Sequence, residues 1–222
     1  CTSSSTLHEF YESWFKKGIY IITANKYPVI ALDLEIFNFW VRIKRQWYIN
    51  STVCTNLPIF KLIRDIEETG DGFTEIKAAL SSSIGFVLNT CRQGVSFDDA
   101  VQLAIQQGHT ESDYMRDLTG KDCIAKANIL ARALGFSTKY LKIQDCEIYA
   151  IQQNLAQGLS YILTIRSETD MCLTWEYSEF QYGFSYQTNQ GKKGLIQSDL
   201  GGPVAAVAGM CDDLNDVLRF FD

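Results

Sequence analysis

Two histidines and three prolines are all that this 222-residue chain carries of either residue, and no two of its seven cysteines are spaced CxxC. With imidazoles only at His8 and His109, and thiols scattered at 1, 54, 91, 123, 146, 172 and 211, a tetrahedral zinc site has no ligand set to form from. The odd cysteine count also argues against a disulfide framework, so reduced thiols in a cytosol-like compartment are expected. No apolar run approaches the roughly twenty residues that span a bilayer. No signal peptide is visible, and the opening CTSSST, without Met, reads as cut rather than native. A basic stripe is missing too: the net charge is −6, with 20 Lys and Arg against 26 Asp and Glu. Nucleic acid and anionic membrane surfaces are therefore poor partners, while a small anionic ligand stays open because local charge can oppose the global sign.

What is present reads as a packed protein. Hydrophobic residues make up 46% and charged residues 21%, globular proportions for one large domain or two small ones. Ser and Thr at 3–6 cap LHEFYESWFKKG, a helix closed by Lys16, Lys17 and Gly18. IYIIT at 19–23 is a buried-strand run, followed by the loop ANKYP and a helically spaced apolar stretch, VIALDLEIFNFWVRI. QWYINSTV reads as a strand, Pro58 opens the helix IFKLIRDIEETG, and FTEIKAAL at 73–80 alternates like a strand with one wet face. Serines 81–83 lead into IGFVLNTCRQG, Ser96 caps FDDAVQLAIQQG, and a further helix covers about 120 to 135. LSYILTIRS, MCLTWEYSEF, GFSYQT and KGLIQS then read as strands, and PVAAVAGMCDDLNDVLRFF as a closing helix. In that strand-rich stretch Tyr161, Trp175, Tyr177, Phe180, Tyr182, Phe184 and Tyr186 read as sheet core. Alternating α and β first, with strands in a run afterwards, make an α/β portion plus an α+β portion.

The chemistry gathers in HTESDYMRDLTGKDCIAKANILARALGFS, residues 109–137. Asp122 and Lys126 are four apart, so a helix stacks them on one face. The bland reading is an exposed ion pair worth a few tenths of a kcal/mol. Against it, the pair follows an acidic loop and sits among Ala125, Ala127, Ile129 and Leu130, which bury part of the helix. A half-buried lysine beside a carboxylate can exchange protons near neutral pH. Lys26 follows the strand IYIIT directly; it is either a solvated loop lysine or a ligand group at a strand's carboxyl end.

CTSS…FYESWFKKGIYIITANK, STVCTNLP, LSSSIGFVL, VSFDDAVQLAIQQGHTESDYMRDLTGKDCIAKANILARALG and LIQSDLGGPVAAVAGMCDDL resemble, in the same order, segments of the homoserine dehydrogenase family. The resemblance implies the C-terminal part of a Rossmann-like NAD(P)-binding domain (1–50 and 199–222). This would join a homoserine dehydrogenase-like catalytic and dimerisation domain with a mixed sheet (51–198). It implies NAD(P)-dependent interconversion of L-homoserine and L-aspartate 4-semialdehyde, in a homodimer of the cytoplasm or a plastid. By the family's pattern, Lys26, Asp122 and Lys126 surround the reacting oxygen, one lysine as acid/base and the other as an orienting charge, in an order left open. Glu111 and Asp117 would hold the substrate ammonium, with Ser82, Ser83 and His109 beside them. Thr2, Ser3, Asn25 and Lys26 would face the nicotinamide end of the cofactor. A weak monovalent-cation site would fall on Asn50, Val53, Thr55 and Leu57.

The chain also departs from the family. No GxGxxG follows a strand, and GDGFTE at 70–75 lacks the third glycine and the context. The family's GAGLP reads CTNLP, so Cys54 and Asn56 replace glycines; a positive φ there would strain Cys54 by about 1 kcal/mol. Asn50 replaces the cation site's carboxylate and Ser82 a glycine that approaches the substrate. His109 stands for Tyr, Arg116 for an acid, and SDLGG for a GAGA-like turn. The alternative reading is a catalytically inactive family remnant that dimerises or binds amino acids.

Overall fold

The computed structural model describes residues 6–110, 114–144, 147–178, 182–198 and 201–221, apart from the side chains of Arg116, Ile148 and Tyr149. Helix α1 (His8–Lys16) buries Tyr11 and Phe15, and Gly18 takes the left-handed φ of +78° that ends it. The chain then forms β1 (Ile21–Ile22), which pairs in parallel with β2 (Trp47–Tyr48). Between them lie α2 (Lys26–Ala31) and α3 (Leu34–Asn38), the latter running on as a π-helical turn, Phe39–Ile43. The expected loop ANKYP is therefore helical from Lys26 onward, because Asn25 caps it by accepting from the Tyr27 N–H. The apolar stretch 29–43 is broken where Leu32 turns extended (ψ 151°).

A 3₁₀ turn (Asn50–Thr52) leads to α4 (Ile59–Glu68), which Pro58 opens as the sequence predicts. Strand β3 (Phe73–Ala79) follows, then α5 (Ser82–Arg92), α6 (Phe97–Gln106), the short α7 (Tyr114–Leu118) and α8 (Lys121–Ala133). Strand β4 (Leu141–Ile143) and α9 (Ile148–Ala156) precede β5 (Leu159–Ser167), β6 (Asp170–Tyr177), β7 (Gly183–Thr188) and β8 (Lys193–Gln197). Helix α10 (Gly202–Leu218) closes the described chain. Neither α7, α9 nor β4 stands out in the sequence.

The larger sheet has six strands in the order β4-β6-β5-β3-β7-β8, mixed because β4 runs parallel to β6 and the other pairs are antiparallel. One face feeds the core: Ala78, Leu163 and Leu173 lie in register, as do Ile76, Ile165 and Met171. Helices α5, α8 and α9 pack on the central strand β5. The other face carries half-exposed small and charged side chains, among them Glu75, Lys77, Thr174, Glu176 and Ser185. Of the aromatics expected in the core, Tyr161, Trp175, Tyr182 and Phe184 are buried. Tyr177 is not: at the last position of β6 it is 73% exposed. Phe180 lies outside the described residues.

Candidate active site

Helix α8 begins after Gly120, whose φ of +73° turns the chain out of α7 and so aims the first turn of α8. Asp122 in that turn accepts from two ammonium groups, Lys126 Nζ at 2.9 Å and Lys26 Nζ at 3.1 Å. Lys126 also donates to the Leu80 carbonyl at 2.7 Å, just past the end of β3. Only 8% of Lys126 is exposed, so the bland reading of a solvated i,i+4 pair does not describe it. Burial alone would lift the Asp122 carboxyl, but Lys126 and Lys26 outweigh it and hold the group well below the usual carboxylate range. Burial would likewise lower the Lys126 ammonium, yet Asp122, with Tyr182 and Cys123 beside it, holds it above the ordinary lysine range. One carboxylate thus serves two ammonium groups, and Asp122 and Lys126 each favour the other's charged form.

The residues expected around the substrate gather next to this trio. Ser81 caps α5 by accepting from the Ile84 N–H. Ser83 donates to the His109 carbonyl at 2.6 Å and lies 3.4 Å from Asp117 Oδ2. The His109 ring stacks on Phe86 at 4.1 Å. Ser82 packs against Gly201, where an added Cβ would come within 2.7 Å of the serine Oγ. The starts of α5, α8 and α10 thus converge around Leu80. Asn25 and Lys26 are drawn to the same place by the Lys26–Asp122 contact. Thr2, Ser3 and Glu111 lie outside the described residues.

Sequence reasoning missed two contributors. Leu80 acts through a backbone carbonyl, which no side-chain pattern advertises. Tyr182, read only as sheet core, brings its hydroxyl within 3.2 Å of Thr55 Oγ1. Burial raises that phenol above its ordinary range, with Cys54 adding to the effect and Lys126 opposing it.

Thr55 also corrects the expectation of strain at Cys54. The positive φ falls on Thr55 (+49°), between the two glycine replacements. Cys54 is fully buried, and burial pushes its thiol up to about 12 against the pull of Lys126. The segment 50–57 that holds Asn50, Val53, Thr55 and Leu57 is tied to α10. Asp213 accepts from the Asn50 N–H at 3.0 Å, and Ser51 donates to the Ala206 carbonyl at 2.7 Å. Asn50 Oδ1 is buried with no hydrogen-bond partner. No cluster of three carboxylate, imidazole or thiol groups forms among the described residues. Burial lifts the Asp213 carboxyl to about 7. It lines a cavity of about 720 Å³ beside β2, with Tyr48, Asn50, Arg64 and Asp216, whose walls do not include Lys26, Asp122 or Lys126.

The sequence profile described as homoserine dehydrogenase matches residues 58–177. A chloroplastic bifunctional aspartokinase/homoserine dehydrogenase 2 of Zea mays is 33% identical over 154 residues, 68% of this chain and 16% of that protein. A homoserine dehydrogenase of Paracoccidioides brasiliensis is 33% identical over 162 residues, 68% of this chain and 42% of that protein. The chain thus spans well under half the length of these relatives. Among solved structures, a hyperthermophilic archaeal homoserine dehydrogenase in complex with NADPH superposes with a TM-score of 0.80 at 21% identity, covering all of this chain and 70% of the other. A Candida auris protein of unknown function gives 0.77 at 24% identity, covering 98% and 75%.

Proposed function

Because the chain belongs to the homoserine dehydrogenase family, we propose that its Lys26–Asp122–Lys126 centre serves the interconversion of L-homoserine and L-aspartate 4-semialdehyde, in the formation of aspartate-derived amino acids. The observation that carries this reading is the shared carboxylate. Asp122 joins a lysine from the end of the β1 segment to one locked against the Leu80 carbonyl. Charges kept only for solubility would not be drawn together from two segments and buried. The same observation favours an enzyme over the inactive-remnant reading.

Lys126 is the orienting charge, since its ammonium is already committed to Asp122 and Leu80. Lys26, with a side chain 25% exposed, is the group that turns to the substrate oxygen. It gives a proton to the semialdehyde carbonyl oxygen and takes one from the homoserine hydroxyl in reverse. Asp117, the His109 carbonyl and Glu111 supply acceptors for the substrate ammonium, and Ser83 ties the first two together. Ser82 borders the substrate against Gly201.

NAD(P), when bound, would supply hydride to the semialdehyde carbonyl carbon and accept it back from homoserine in reverse. Of the described residues, Asn25 and Lys26 would meet its nicotinamide end; the resemblance adds Thr2 and Ser3. The 222 residues contain no GxGxxG turn to cradle the pyrophosphate. We assign 1–50 with 199–222 to the cofactor side and 51–198 to the catalytic and dimerisation side. The unpartnered Asn50 Oδ1 supports a weak monovalent-cation site with the carbonyls of Val53, Thr55 and Leu57. No helix among the described residues is long and apolar enough to cross a membrane; the chloroplastic relative supports a plastid, with the cytoplasm as the other candidate compartment. The half-exposed sheet face supports a homodimer.

Isothermal calorimetry of L-homoserine with residues 1–222, beside an Asp122→Ala, Lys126→Ala double variant, tests the reading. Binding by the parent and none by the variant is expected, without NADPH-dependent turnover by this segment alone. A folded parent that does not bind returns the remnant reading.

A further inference from the structure

The candidate centre is built from two segments, and only one of its lysines is firmly seated. Lys126 is fixed by its own helix and by Leu80, whereas Lys26 stands at the first position of α2. That helix has six residues, too few to hold its shape without outside contacts. Its start is capped by Asn25, and its Pro28 and Val29 are buried. Its end is held by a residue with no assigned role. Arg132 lies on α8 almost three turns beyond Asp122, about 15 Å along the axis. Its guanidinium donates Nη1 to the Ile30 carbonyl at 3.1 Å and Nη2 to the Leu32 carbonyl, the terminal acceptors of α2. The Cζ atom sits 5.2 Å from the centroid of the fully buried Phe37 ring in α3. A forked cation on the free carbonyls of a helix end satisfies them and opposes the negative end of the helix dipole. Helix α8 therefore grips α2 at both ends, with Asp122 on Lys26 at the start and Arg132 on the carbonyls at the finish.

We infer that Arg132 is a positioning residue for the proton-handling centre: its fork on the carboxyl end of α2 holds Lys26 at ion-pair distance from Asp122. The inference rests on the reading of that centre given above. Two variants separate its parts. Arg132→Met keeps an unbranched stem over Phe37 and loses the cation; Arg132→Lys keeps a charge and loses the fork.

The readout is ¹⁵N NMR of the lysine ammonium groups, assigned with Lys26→Arg and Lys126→Arg. In the parent both ammonium signals are protected from exchange. In Arg132→Met the Lys26 signal exchanges about tenfold faster, Arg132→Lys falls between, and the Lys126 signal is unchanged in both, as expected for coupling within one contact network. L-Homoserine affinity follows the Lys26 signal. Should Arg132→Met not fold, the Arg132→Lys comparison decides. Equal losses at Lys26 and Lys126 would show Arg132 to be merely a structural support, and unchanged Lys26 exchange in the variants would also overturn the inference. If the ammonium signals behave as expected but the parent does not bind L-homoserine, the functional reading fails while the role of Arg132 stands.

Discussion

Asp122 carries one negative charge between ammonium nitrogens at 2.9 and 3.1 Å, and Lys126 has the Leu80 carbonyl as its further acceptor among the described residues. Replacing the carboxylate with a neutral amide strands a buried cation, which costs about 3 kcal/mol in comparable buried pairs. Urea denaturation of Asp122→Asn at pH 7 is expected to show a loss of that order. The sign of the pH effect follows from the depressed carboxyl. Its stabilisation is complete above the unfolded value of about 4 and is lost as the pH falls through the lower folded value. The parent should therefore weaken between about pH 5 and pH 2 more steeply than Asp122→Asn; parallel acid limbs would sink the assignment. At this scale much of the site was legible. Lys26, Asp122 and Lys126 were marked by residue type and spacing as well as by family resemblance, Ser83 and Asp117 by the resemblance alone. Leu80 and Arg132 were not, because one acts through its backbone and the other binds backbone at a distant helix end.

Helix α10 shows how an element is placed by what it lacks. Gly209 faces the turn at 51–55, where an added Cβ would lie 1.9 Å from the Thr55 carbonyl oxygen and 2.6 Å from Ser51 Oγ. Alanine is the better helix former by about 1 kcal/mol. That gain is outweighed because the obstacle is backbone, and overpacking costs about 1–3 kcal/mol. Gly209→Ala is thus expected to lower the melting temperature by about 2–6 °C in scanning calorimetry. An unchanged or higher value would mean that α10 slides freely over the turn. Elements with strong local signals were legible: Pro58 before α4, Ser96 capping α6, and the alternation of β3. The break at Leu32–Asp33 was not, since α2 ends on tertiary donors supplied by Arg132 rather than on a local breaker. Strand β4 has three residues and takes its identity from pairing with β6, which sequence spacing does not reveal.

Two surfaces of the whole molecule compete as contacts between copies. One is the outer face of the six-stranded sheet, where the Lys77–Glu176 ion pair (3.2 Å) lies beside Thr174 and Ser185. The other is the outer side of α10, where Val204, Val207, Leu214, Leu218 and Phe221 are 78%, 59%, 46%, 51% and 71% exposed. The homodimer proposal commits to the sheet. Thr164, Thr174 and Ser185 on it are short, so a second sheet can approach between the charged side chains, and Thr164 Oγ1 is buried on that face without a hydrogen-bond partner. Sedimentation at tens of micromolar is expected to give twice the 25.1 kDa of one chain. Thr174→Arg adds a charged side chain on that face, midway along β6, and should return the chain to monomers. Leu214→Lys on α10 should leave the dimer intact, because in this reading α10 faces the cofactor side rather than another copy. The reverse pattern, with dimers surviving Thr174→Arg and lost in Leu214→Lys, would move the interface to α10. A parent that sediments as a monomer would remove the homodimer altogether.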